Sequence, residues 1–122
     1  MVRWCLTVTN EAYDLKLSEI IKKCHYPEIA KEKLDITFQL LQEADIHMTQ
    51  LQKLTLSSHI CAMVNRNFDG GEIPPIDKEM FKDVSAHSIG LALEICQLLP
   101  NLPEDEKYLL SIHFEAAKMG NG

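Results

Sequence analysis

The sequence predicts an all-α fold, and three observations predict it. Apolar residues recur three and four positions apart along nearly the whole chain, which is the spacing of one helix face and not strand alternation. Helix signals fall between the periodic stretches, with Asn10, Pro27, Thr49, Asp77 and Pro103 as starts and the Asp69-Gly70-Gly71 run, Pro100 and Gly120 as stops. The chain has 122 residues, 46% hydrophobic and 25% charged, with only five Gly and five Pro, a composition suited to one compact core.

Residues 2–9 are the exception. Val2, Trp4, Leu6 and Val8 alternate with Arg3, Cys5, Thr7 and Thr9, the pattern of a short strand or of an extended arm laid on the body or on a partner chain. A first helix follows Asn10, with Tyr13, Leu17, Ile20, Ile21 and Cys24 on one face. Pro27 suits the first turn of a second, which puts Ala30, Leu34, Phe38 and Leu41 on one side and Glu28, Glu32, Asp35, Gln39 and Gln42 on the other. The third starts at Thr49, whose hydroxyl and the Gln52 side chain form a capping box, and runs to about Asn67. After a loop from Phe68 to Pro75, Asp77 caps a fourth pattern carrying Met80, Phe81, Val84, Leu91, Ile95 and Leu98, with Ser85, Ser88 and Gly90 as points where it divides. The last begins at Pro103, where Glu104, Asp105 and Glu106 oppose the positive end of the helix dipole, and ends near Lys118. Met48, Met63, Met80, Leu91 and Ile95 are expected in the core.

Charge and cysteine usage narrow the function. Twelve Lys and Arg against eighteen Asp and Glu give a net charge of −6, against direct binding of nucleic acid or an anionic membrane surface. The longest apolar run falls far short of the roughly 20 residues that span a bilayer. Cys5, Cys24, Cys61 and Cys96 form no CxxC pair and no secretory leader precedes them, so free thiols in a cytoplasmic protein are the expectation, with an oxidised pair as the alternative. There is no GxGxxG, P-loop or GxSxG, no metal-binding HxxxH or HExxH spacing, and no orienting third group beside the neighbours Cys24 and His25.

The chemistry-bearing residues are histidines: His25, His47, His59, His87 and His113. Two turns beyond His59 lies Arg66, so the two share a helical stripe with Thr55 and Met63, and the guanidinium is placed to grip an anion arriving at the imidazole. Glu106 precedes His113 by the same seven residues. A carboxylate on one ring nitrogen fixes the tautomer and leaves the other nitrogen as nucleophile or acceptor, although two turns is far for direct contact and Glu106 is equally suited to cap its own helix. The plain alternative makes both histidines hydrogen-bonded core or boundary residues and Arg66 a solvated helix-end residue.

At these two segments the sequence resembles the PTS regulation domain, or PRD, family of bacterial transcription antiterminators and activators. Leu56, His59 and Ile60 match an L-x-x-H-I stretch with an arginine, Arg66, seven residues past the histidine. Leu102, Pro103 and Glu106 match L-P-x-x-E leading to His113 and Phe114. The resemblance covers residues 27–119 and leaves 1–26, the arm plus first helix, as an N-terminal extension. Ser58 stands where an acidic residue often precedes the first histidine, and Val84, Ser85 and Ala86 replace tyrosine and acidic residues common between the motifs.

The resemblance implies a compact bundle of about five helices that commonly dimerises. It implies that His59 and His113 are phosphoacceptors supported by Arg66 and Glu106, with the phosphocarrier protein HPr or an enzyme II B-type component as donor and with no cofactor, metal or enzymatic activity. Family members usually join two such domains to a basic effector, and neither a duplicate nor an effector is present here, so output is expected through a homodimer or a protein partner. Two other readings stand beside it: a helical dimer that binds a partner without phosphorylation, and a small enzyme or metal-binding bundle using the histidines.

Overall fold

The computed structural model describes the backbone of residues 2–121 and the side chains of residues 11–119. Five α-helices follow in order: α1 Val2–Lys22, α2 Pro27–Glu43, α3 Gln50–Asp69, α4 Ala86–Cys96 and α5 Glu106–Asn121, with a short 3₁₀ turn at Lys78–Phe81. No strand occurs among the described residues.

The N-terminal segment departs from its pattern. Residues 2–9 are helical, continuous with the helix expected after Asn10, so there is no extended arm and Asn10 lies inside α1. No Gly or Pro stands between Val2 and Lys22 to break the helix, and the propensity cost of β-branched residues is only a few tenths of a kcal/mol each, roughly 0.7 at most. Eight residues of alternation are too weak a signal to oppose propagation from an established helix.

Elsewhere the signals act as read, with shifts at the ends. Pro27 opens α2. A Schellman-type turn closes it, with Ile46 N–H donating to Leu41 O and Asp45 N–H to Gln42 O while Asp45 takes φ 57°. Thr49 caps α3 through the reciprocal box: Gln52 N–H donates to Thr49 Oγ1 at 3.1 Å, and Thr49 N–H donates to Gln52 Oε1 at 2.9 Å. Thr49→Ala is therefore expected to lower stability by about 1 kcal/mol in a urea titration with the slope unchanged, and a loss below a few tenths would show that the box is not needed.

Gly70, at φ 82°, ends α3 and donates its N–H to Arg66 O. The fourth pattern divides at Ser85, whose hydroxyl accepts from Ser88 N–H as the cap of α4. The last helix begins at Glu106, three residues after Pro103, and runs through Gly120 to Asn121. A glycine costs a helix only about 1 kcal/mol, so without a following proline it does not enforce a stop.

The middle helix organises the bundle. α3 packs against α1, α2 and α5, and α4 pairs closely with α5. Leu34 of α2, Leu56, Ile60, Met63 and Val64 of α3, Ile95 of α4 and Leu110 and Phe114 of α5 are essentially inaccessible. Each large apolar side chain contributes roughly 1.5–3 kcal/mol by burial, more than any single cap, so packing sets where the helices lie. Met48 is only partly buried, and Met80, expected in the core, is 79% exposed: the short 3₁₀ turn points Phe81 inward instead.

Polar ties orient α5. Glu115 accepts from Ser85 N–H and from the Ser85 and Ser88 hydroxyls, and Lys118 Nζ donates to Ser85 Oγ. Asn67 Oδ1, buried on α3, accepts from Asn101 N–H at 2.8 Å and so fixes the α4–α5 connection just before Glu106.

Candidate functional site

His59, Arg66, Glu106 and His113 come together at the α3–α5 contact. The two α3 residues lie two turns apart on one stripe, as their spacing requires, and α5 brings Glu106 and His113 across to meet them. His59 Nδ1 and His113 Nε2 are 2.9 Å apart, and His59 Nε2 lies 3.5 Å from Glu106 Oε1. Arg66 Nε donates to Glu106 Oε2 at 3.0 Å, and its Nη2 donates to Oε1 at 2.6 Å, a bidentate pair. Gly71, at φ 136°, lies in van der Waals reach of the arginine stem: a Cβ there would sit 3.5 Å from Arg66 Cγ.

The pairing differs from the one suggested by spacing. Glu106 does not serve the histidine on its own helix; it reaches across to Arg66 and His59, and the guanidinium that was placed to grip an incoming anion grips this carboxylate. The Glu106 side chain is 0% exposed, against 16% for His59 and 23% for Arg66. Burial alone would raise the Glu106 carboxyl. Hydrogen bonds from His59 and Arg66, together with their charges, outweigh it and hold the group below the ordinary carboxylate range. Burial, then the neighbouring His59, brings the His113 imidazole down to about 4, so that ring is neutral at neutral pH.

Ionisation orders the protons. Glu106, held as a carboxylate, accepts from His59 Nε2–H; in the tautomer in which His59 Nδ1 accepts from His113 Nε2–H, His113 Nδ1 carries the lone pair, with no hydrogen-bond partner among the described residues. The result is a guanidinium–carboxylate–imidazole–imidazole chain ending on an available nitrogen. No group of three or more His, Cys, Asp or Glu side chains among the described residues is placed to hold a metal ion.

The other histidines lie apart. His47 meets Asp45 at an exposed turn, and His87 is exposed near the start of α4. His25 has the orienting group that sequence did not reveal: its Nδ1–H donates to Asp69, which also accepts from Tyr26 Oη, while His25 N–H donates to Asn65 Oδ1 at 3.0 Å. Asp69 reads in sequence only as a helix-stop residue. Its spacing of four from Asn65 is a signal for a shared α3 stripe, but nothing local names the residues across from it.

The cysteines also depart from expectation. Cys24 and Cys61 form a disulfide between the α1–α2 turn and the middle of α3, and Cys96 is a free thiol on α4.

The described residues form a helical bundle whose central and last helices share a histidine pair beside a buried Arg–Glu bridge. The PRD domain family model matches residues 28–117, and the chain belongs to that family. Its fold is also that of a PRD-containing transcription regulator from Lactobacillus casei ATCC 334, with 34% identity and a TM-score of 0.83 over 86% of this chain and 94% of that one. No curated protein matches. PRD domains are regulatory, and among the described residues no helix is long and apolar enough to cross a membrane.

Proposed function

We propose that this protein is a cytoplasmic, non-enzymatic regulatory module of the bacterial sugar phosphotransferase system, phosphorylated at the His59–His113 pair by HPr or an enzyme II B-type component. Its output passes through a homodimer or a protein partner that controls gene expression or carbohydrate metabolism. The observation that carries the reading is that the two motif histidines meet at 2.9 Å, with His59 in turn against the buried Glu106–Arg66 pair. The transcription-regulator neighbour supports a role in gene control.

The chemistry follows from the proton order. His113 Nδ1 attacks the donor's phosphorus in line, the new N–P bond forms as the donor's bond to phosphorus breaks, and the donor atom leaves with that electron pair. The Nε2 proton of His113 remains hydrogen-bonded to His59, which Glu106 holds in place. His59 becomes an acceptor only after the two rings part, since both of its nitrogens are engaged in the closed pair.

A phosphoryl group on His113 adds roughly 1.5–2 negative charges at the end of the hydrogen-bonded chain away from Glu106. That charge disturbs the His113–His59 contact, and parting of the two rings loosens α3 from α5. That is the packing change a dimer or partner would read.

Incubation with phosphorylated HPr or phosphorylated B-type component is expected to produce an acid-labile, base-stable adduct, and His59→Ala with His113→Ala jointly abolish it. No adduct with any donor overturns the reading. A second reading, a partner-binding helical dimer without phosphorylation, is favoured by the closed pair itself and by Ser58 in place of an acidic residue. Under it the double variant dimerises and binds its partner as the wild type does.

A further inference from the structure

Three consecutive residues at the α1–α2 turn are tied to three residues one turn apart on α3. Cys24 meets Cys61, His25 N–H meets Asn65, and the His25 ring and Tyr26 hydroxyl both meet Asp69. Positions 61, 65 and 69 form a single stripe on α3, on a different face from His59 and Arg66. The polar ties join the same turn to the same α3 stripe without involving the sulfurs.

We propose that Cys24 and Cys61 are a reversible thiol–disulfide modification site that exchanges with a low-molecular-weight disulfide and thereby clamps α1 onto α3. Their Cα atoms are 5.7 Å apart, inside the range that a disulfide bridges without backbone movement. Both side chains are nearly buried, at 7% and 6% exposure, yet they form the floor of an open cleft of about 320 Å³ with Lys23, Ser58, Ala62 and Asn65 on its walls. A small disulfide or thiol reaches them through that cleft. Cys96, the free thiol on α4, does not line this cleft.

The exchange balances without a further reagent. One cysteine thiolate attacks a sulfur of the small disulfide, forming a mixed disulfide and releasing one small thiolate. The second cysteine thiolate then attacks the protein sulfur of that mixed disulfide, closing Cys24–Cys61 and releasing the second small thiolate. The two protons from the protein thiols end on the two released thiols, the small disulfide gains two electrons, and excess small thiol reverses the sequence. In a reducing compartment the resting form is therefore the dithiol, and oxidation closes the clamp. This input does not depend on phosphoryl transfer.

The test uses the full chain with Cys5→Ser and Cys96→Ser, titrated with oxidised and reduced glutathione. Oxidant is expected to remove both alkylatable thiols with loss of two hydrogens and no retained adduct, and reduced glutathione in excess to restore them. Because the bridge closes a separation of 37 residues, oxidation is expected to raise Tm by roughly 10 °C. Hydrogen-exchange protection should rise in α1, the α1–α2 turn and α3, and stay unchanged in α4 and α5. Adding Cys24→Ala or Cys61→Ala should make Tm indifferent to oxidant. A dithiol that glutathione disulfide never closes, a stable mixed disulfide, or a bridge that excess thiol never reopens would each overturn the proposal.

Discussion

Replacing Glu106 with alanine is expected to destabilise the protein by roughly 3–5 kcal/mol, the usual consequence of removing one partner of a buried ion pair. The carboxylate is wholly inaccessible and satisfies both donors of the Arg66 fork and the long contact from His59. Its loss leaves a guanidinium 23% exposed with no acceptor in the fold and an imidazole whose Nε2–H has lost its partner. The pair itself contributes much less than this figure, because desolvating both charges offsets most of their attraction. That distinction is testable: Arg66→Met combined with Glu106→Leu is expected to recover most of the loss, while either change alone does not. Urea unfolding of the four proteins measures the coupling, and a Glu106→Ala cost below about 1 kcal/mol would show that the bridge is dispensable to the fold. If the recovered double variant also fails to accept phosphate, the bridge serves the chemistry and not stability.

Acid is expected to remove a further part of the stability, on the order of 3 kcal/mol, through His113. Its folded-state value is depressed from 6.5 to about 4, so the unfolded chain binds more protons than the folded one between those limits. The stabilisation is present in full above pH 6.5 and is lost as pH falls toward 4. Glu106 works in the same direction further into acid: its folded value is also depressed, so its contribution is present above the ordinary carboxylate value and lost as pH falls through the lowered one. The two are separable, because His113→Gln removes the slope between pH 6.5 and about 5 while leaving the deeper acid limb. A variant whose pH–stability curve coincides with that of the wild type over that interval would contradict burial as the cause of the His113 shift.

The local grammar of the helices was readable residue by residue. Thr49 with Gln52, Pro27 and Gly70 act at the positions where their backbone chemistry places them. The seven-residue spacings of His59–Arg66 and Glu106–His113 identified the four residues that meet at the site. The partners within that quartet were not readable, since a stripe on one helix says which residues point the same way and nothing about what faces them. Glu106 therefore looked like a cap or a support for His113, and it is the acceptor for Arg66 and His59. Residues 2–9 misled for a related reason: an alternating pattern describes a strand only where another strand or a sheet exists to pair with it, and here a helix already runs into the segment.

What the sequence by itself determined is the all-helical class, the breaks between helices and the family, because caps, breakers and periodicity act within a few residues of one another. What only the tertiary structure decided is which groups share protons and bonds: His59 with His113, Glu106 with Arg66, His25 with Asp69, and Cys24 with Cys61. Those contacts join residues at least 37 positions apart. They depend on how α3 sits between α1 and α5, a choice made by the burial of apolar faces, in which none of the polar groups takes the leading part.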